Sequence, residues 1–191
     1  MKKVIVLLAN GFEEIEAISV IDILRRSSDV IVQICSIDKE YVTGAHGIVI
    51  KSDVRIDYID LYTDTYDLIY IPGGMPGAAS LRDNEKVQEL LKWHHKEETK
   101  MAAICAGPIA LEAAGILKGE KGTSFPGFED QLSYDKYVKE PVVVSGNIIT
   151  SRGAGTSMEL GFVILEELGL KEESERLREE MQYNFLKDSI K

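Results

Sequence analysis

Disulfide-forming capacity is nearly missing from this chain, whose 191 residues hold two cysteines, Cys35 and Cys105. Two cysteines make no disulfide framework, so a reducing, cytoplasmic setting is expected. Long uncharged apolar runs are missing as well, which leaves no candidate for a membrane span. The start Met1-Lys-Lys-Val-Ile-Val-Leu-Leu8 is basic and apolar like a signal peptide. Its apolar run is short, however, and Asn10-Gly-Phe-Glu-Glu14 follows without a cleavage-like site, so it reads as a first strand. Positive charge is in deficit, with 22 Lys and Arg against 32 Asp and Glu and a formal net charge of -10. Nonspecific nucleic-acid binding needs basic patches that displace counterions, so neither nucleic acid nor membrane is an expected partner. A Gly-x-x-x-x-Gly-Lys phosphate loop is absent, and the cysteines and histidines show no ligand spacing. No cofactor and no metal are therefore expected. All three histidines, His46, His94 and His95, precede Cys105. The pair His94-His95 stands before Lys96-Glu-Glu98 in a polar helical stretch and reads as solvated surface.

What is present is an alternation of strand and helix patterns over a length that fits one domain, residues 1–191, with a substantial core. Residues 3–9 form an apolar run of the kind buried on both sides of a parallel sheet. Helical periodicity follows over 13–26, then a strand over 30–37, a hairpin over 41–50 and a strand over 66–71. An amphipathic helix over 84–98 turns Val87, Leu90, Leu91 and Trp93 inward. After it come a short strand over 101–104, an Ala-rich helix to about 114, and a hairpin over 142–150 turning at Gly146-Asn147. One helix then runs to Leu168, ended by Gly169, and a last one covers 172–187. This order predicts a parallel α/β sheet with helices on both faces and sites at the carboxyl ends of its strands. Three loops qualify: 10–16, 72–77 and 105–108.

The stretch Met101-Ala-Ala-Ile-Cys-Ala-Gly-Pro108 is the most informative. A buried strand breaks at Cys105 and turns at once into a helix with Pro108 in its first turn, and the small neighbours Ala106 and Gly107 suit a sharp corner. This is a nucleophile elbow with cysteine as nucleophile. A thiol at a helix N-terminus feels unpaired amides and the positive end of the helix dipole, both of which favour thiolate. Gly73-Gly74, directly after a central strand, offers flexible backbone amides for an oxyanion. Glu13, Glu14 and Glu16 start the first helix at the same edge, and exposed first-turn acids are common for dipole reasons alone. Glu16, between Ile15 and Ala17-Ile18, is expected to be partly buried, with a raised pKa suited to a proton donor beside a thiolate.

Four segments together resemble the motifs of the DJ-1/ThiJ/PfpI superfamily, specifically its DJ-1/ThiJ branch, over nearly the whole chain. They are Ala9-Asn-Gly-Phe-Glu-Glu-Ile-Glu16, Ile71-Pro-Gly-Gly-Met-Pro-Gly-Ala78, Ala103-Ile-Cys-Ala-Gly-Pro108 and Thr150-Ser-Arg-Gly-Ala-Gly-Thr-Ser157. The resemblance implies a flavodoxin-like three-layer sandwich and a homodimer. It makes Cys105 an oxidisable nucleophile, Glu16 its protonated partner, and Gly73 and Gly74 the oxyanion-type donors. It also places Ala106, His46, Phe125 and Arg152 around the substrate. Ala106 stands where the protease-like branch has histidine, which argues against peptidase activity. Phe125 stands where some members have a histidine, and His46 where several have an arginine, so an anion-binding role for His46 would depend on pH.

The function implied by the resemblance is a cofactor-independent, cysteine-dependent hydrolase of glyoxalase or deglycase type. Its substrate would be a small reactive carbonyl such as methylglyoxal or glyoxal, or an early adduct of one. The alternative is a redox-sensing stress-response protein or chaperone in which Cys105 is oxidised without efficient turnover. A homodimer is also expected from the first helix, which carries more apolar residues than one face beneath a sheet requires.

Overall fold

The structure, a computed structural model, describes residues 1–190. In chain order its elements are β1 (Lys2–Leu8), α1 (Glu14–Arg25), β2 (Val30–Ser36), β3 (Tyr41–Thr43), β4 (Val49–Lys51), β5 (Val54–Arg55) and β6 (Leu68–Ile71). Next come α2 (Gly77–Asp83), α3 (Glu85–Lys96), β7 (Lys100–Ile104), α4 (Pro108–Ala113), β8 (Lys121–Gly122) and β9 (Lys136–Tyr137). The chain ends with β10 (Val142–Ser145), β11 (Ile148–Ser151), α5 (Ser157–Glu167), α6 (Lys171–Glu180) and α7 (Tyr183–Ser189).

Seven strands form one sheet in the order β10-β11-β7-β6-β1-β2-β5, parallel throughout except for the β10–β11 hairpin. Alternation along β1 explains the layers. Val4, Val6 and Leu8 face a core completed by α1, α5 and α6, while Ile5 and Leu7 face another completed by α2, α3 and α4. From β1 the chain steps to β2 on one side and then crosses back to β6 on the other, so the loops after β1 and β6 diverge. Such a switch point leaves a crevice at the carboxyl ends of the strands. On the α1 side the helices approach closely: a Cβ added at Gly161 of α5 would stand 2.9 Å from Ile23 Cδ1 of α1. The fully buried Tyr70 of β6 donates its hydroxyl to the carbonyl of Glu16 at 2.9 Å, tying the first turn of α1 to the sheet.

Three sequence expectations need correction. The last helix is two, α6 and α7, broken at Gln182, whose φ of 58° is left-handed. The break turns the Tyr183 ring onto Phe162 at 5.0 Å between centroids, with the Arg178 guanidinium over both rings. That packing outweighs helix continuation through a polar stretch. His94, expected at the surface, is buried. Spacing from Val87, Leu90 and Leu91 puts it on the inner stripe of α3, where its Nδ1 meets the Thr99 hydroxyl at 3.0 Å and its ring tilts against Tyr66. Trp93 is only half-buried, edge-on to Tyr62.

Burial holds the His94 pKa below its usual value of 6.5, so an unfolded chain takes up this proton before the folded one does. The contribution to stability is complete above that usual value and declines as pH falls below it. Between about pH 7.5 and about pH 5.5 the denaturant midpoint of the wild type should therefore fall further than that of His94→Gln. Equal falls in the two proteins would contradict this role.

Candidate active site

The elbow is held from three sides. The Cys105 N–H donates to Ser151 O at 3.0 Å, its carbonyl accepts from Phe125 N at 3.0 Å, and Gly107 N donates back to Ile104 O at 2.8 Å. Cys105 itself has φ of 63°, a left-handed conformation that costs a non-glycine residue about 1 kcal/mol or more and persists only where the surroundings enforce it. Here those three backbone bonds do so. Gly107 has no room for a side chain, since a Cβ would lie 2.6 Å from Ile71 O. Cys105 remains partly accessible, whereas Cys35 is fully buried in β2.

The first turn of α1 brings Glu16 to the sulfur. Its carboxyl is 1% exposed, is hydrogen-bonded to Cys105, and accepts the Gly73 N–H on Oε2 at 2.8 Å. A Cβ at Gly73 would stand 2.6 Å from Glu16 Oε2 and 2.7 Å from Cys105 Cβ, so only glycine lets the three segments meet. The N–H groups that reach the sulfur belong to Ala106 and Gly74. This corrects the assignment of Gly73 as a free oxyanion donor, because its amide is taken by Glu16. Ala106 contributes its backbone in place of a substrate-facing side chain, its methyl being buried against Ala78 and Ile109.

Burial pushes Glu16 up to about 7; the hydrogen bonds from Cys105 and Gly73 oppose this and the negative charge of Glu13 adds to it. Burial also pushes the Cys105 thiol up to about 12, helped by the charge and hydrogen bond of Glu16 and opposed by the Ala106 and Gly74 amides. The amides thus act in the direction expected of a helix N-terminus, but desolvation outweighs them, and the elbow alone does not leave a standing thiolate. Above about pH 7 the pair holds one proton and one negative charge. Moving that proton from sulfur to carboxyl removes the charge that holds the thiol up and turns Glu16 into a donor toward a thiolate.

The hairpin β3–β4 carries His46 to the start of α1. Glu14, one of the first-turn acids, is 3% exposed, with Oε1 accepting the N–H of His46 at 2.6 Å and of Ile48 at 3.3 Å. Its Oε2 lies 2.8 Å from His46 Nδ1, and Glu13 Oε2 lies 3.7 Å from the same nitrogen. Burial pushes Glu14 up, but these hydrogen bonds outweigh it and hold the carboxyl low, while His46 is raised by its hydrogen bond to Glu14. Among the described residues, Glu13, Glu14 and His46 form the one group of three donor side chains close enough to hold a cation, gathered from positions whose sequence spacing carries no ligand pattern. Arg152, expected near the substrate, directs its guanidinium to the Tyr137 hydroxyl at 3.4 Å. Phe125 has its backbone set against that of Cys105 by its bond to Cys105 O, and its side chain is half exposed.

Sheet order and elbow together define a flavodoxin-like α/β protein with a cysteine elbow at the carboxyl edge of its sheet, beside the switch point. The sequence profile of the DJ-1/PfpI family matches residues 2–167, and the chain belongs to that family. It is 37% identical over 171 residues to the Parkinson disease protein 7 homolog of Danio rerio, covering 87% of this chain and 89% of that one. It is 36% identical to deglycase PfpI of Pyrococcus furiosus over 80% of this chain and 91% of the relative. It also matches protein DJ-1 homolog B of Arabidopsis thaliana at 36% identity, but spans only 37% of that longer protein. Oxidized DJ-1 of Toxoplasma gondii superposes with a TM-score of 0.89 at 38% identity, over 95% of this chain and 98% of that one.

If Glu16 is the base for Cys105, alkylation of Cys105 by iodoacetamide should rise with a midpoint near pH 7. In Glu16→Gln that limb should disappear, with at least a tenfold loss, roughly, at neutral pH. An unchanged profile would make Glu16 a structural acid only. Because the folded pKa of Glu16 is raised from 4.5 to about 7, it withdraws stability as pH rises through that interval. Relative to wild type, Glu16→Gln should gain about 2–3 kcal/mol on going from about pH 5 to about pH 8 in denaturant titrations.

Proposed function

We propose that this chain is a cysteine-dependent hydrolase of small α-oxoaldehydes such as methylglyoxal, or of their early adducts. The observation that carries the reading is the buried Glu16 carboxyl bonded to the Cys105 sulfur, with the Ala106 and Gly74 amides turned to that same atom. The deglycase name of the Pyrococcus relative supports it. As the sulfur adds to the aldehyde carbon, its proton passes to Glu16, and the carbonyl oxygen takes negative charge beside the two amides before taking that proton from Glu16, which becomes carboxylate again. The aldehyde hydrogen then leaves as a proton to Glu16 and returns to the neighbouring ketone carbon. The first carbon is oxidised by two electrons and the second reduced by two, which leaves a thioester of a 2-hydroxy acid. Water cleaves that thioester, the hydroxy acid departs, and the sulfur recovers its proton. Electron balance closes within the substrate.

A second reading, an oxidation-responsive protein without efficient turnover, is favoured by Phe125, which supplies no base where some relatives have histidine. Lactate production from methylglyoxal by wild type but not by Cys105→Ser is the expected result. Failure of the wild type to produce lactate, with Cys105 oxidising readily under peroxide, would select the second reading.

The reading includes a homodimer. Ile15 and Ile18 of α1 and Ile48 and Val49 of the hairpin are exposed, and the hairpin is tied to the start of α1 through Ile48 N and Glu14, so apolar side chains from both elements are offered to a second copy. Light scattering should return twice the chain mass at micromolar concentration, and Ile15→Lys should lower it to the mass of one chain.

A further inference from the structure

The chemistry above uses Cys105, Glu16 and two amides, and it leaves unexplained Phe125, whose backbone is bonded to that of Cys105. Phe125 is pinned through its backbone. Its N–H donates to Cys105 O at 3.0 Å, and its carbonyl accepts from Phe128 N at 3.3 Å and from the Ser124 hydroxyl at 3.2 Å. The ring rests on Gly153, where an added Cβ would lie 3.3 Å from Phe125 Cδ2. Gly153 is fixed in turn, its N–H donating to the Thr156 hydroxyl at 3.2 Å. Yet the residue is 48% exposed. A large ring held this firmly and left half in water serves no core, and exposed aromatic surface of this kind favours apolar ligands. A second exposed apolar side chain, Met75 at 52%, directly follows Gly74, whose amide reaches the sulfur. Two exposed apolar side chains thus stand on residues tied to the nucleophile, Phe125 by its backbone bond to Cys105 and Met75 by following Gly74, while the Ala106 methyl is buried.

We propose that Phe125 is a specificity residue, and that it receives the apolar or aromatic substituent of the substrate. The site would then favour α-oxoaldehydes carrying an aryl or branched alkyl group over methylglyoxal, whose single methyl reaches no wall. As a statement about turnover the inference rests on the α-oxoaldehyde reading of Cys105; as a statement about recognition it does not. The ring gains contact with an aryl group already beside the sulfur, so the preference falls on whatever apolar electrophile Cys105 attacks.

Two measurements separate these levels. The first compares alkylation of Cys105 by N-benzyl iodoacetamide and by iodoacetamide, each corrected for its rate with glutathione. The second compares kcat/KM for phenylglyoxal and methylglyoxal, the expected products being mandelate and lactate. Both ratios should favour the aryl compound in the wild type, fall about three- to tenfold in Phe125→Ala, and hold in Phe125→Tyr. An alkylation ratio that Phe125→Ala leaves unchanged overturns the inference, whether or not aldehydes turn over. A ratio that falls while no aldehyde is consumed supports the recognition and rejects only the turnover reading. A loss of the dimer mass in Phe125→Ala with unchanged ratios would make the ring an interface contact and likewise overturn the inference.

Discussion

A carboxyl and a thiol buried against each other share a proton in this protein, and several otherwise unrelated features follow from keeping them there. Glu16 is shut away from water, and burial alone favours its neutral form. Its charged form survives through hydrogen bonds from Gly73 and Cys105. That geometry excludes any side chain at residue 73, requires Tyr70 to hold the Glu16 carbonyl, and requires Cys105 to adopt a left-handed conformation at the end of β7. Each is a local cost that the packed sheet sustains.

The two cysteines show what the pair adds. Burial raises both thiols to about 12, so basicity does not distinguish them. Cys35 has a backbone carbonyl as its hydrogen-bond partner and no exposure. Cys105 has partial exposure, two amides and a carboxyl able to take its proton. On the proposed reading, reactivity at this site depends on proton transfer within the pair rather than on a thiolate held by a helix dipole. The same buried carboxyl whose ionisation weakens the fold above neutral pH is the group the proposed chemistry would use, a common conflict between stability and activity.

Glu14 sets a second constraint, on shape. Buried at the start of α1, it holds the β3–β4 hairpin through the amides of His46 and Ile48. Glu13, next in the chain, donates its own N–H to Gly73 O at 2.9 Å. Adjacent residues of one helix start thus position the hairpin, the glycine loop after β6 and, through Glu16, the nucleophile. The consecutive acids that look interchangeable in the sequence have three different environments.

Much of this was legible in the residues themselves. Strand and helix order, the two hairpins, the elbow and the partial burial of Glu16 follow from periodicity, small residues and turn chemistry, which act over a few positions. Three things did not follow. Glu14 is buried because a hairpin more than thirty residues away covers it. His94 is buried because Tyr66 and Thr99 close over a polar-looking stretch. Gly73 and Gly74 divide their roles because Glu16, 57 residues from Gly73, occupies one amide and leaves the other for the sulfur. The thiol pKa belongs with them: the helix-end amides are visible in the sequence, but the desolvation that outweighs them comes from chain segments that meet only in the folded sheet. Local pattern determined which groups stand at the edge, and tertiary packing decided which of them face water, because burial is set by neighbours that sequence distance does not reveal.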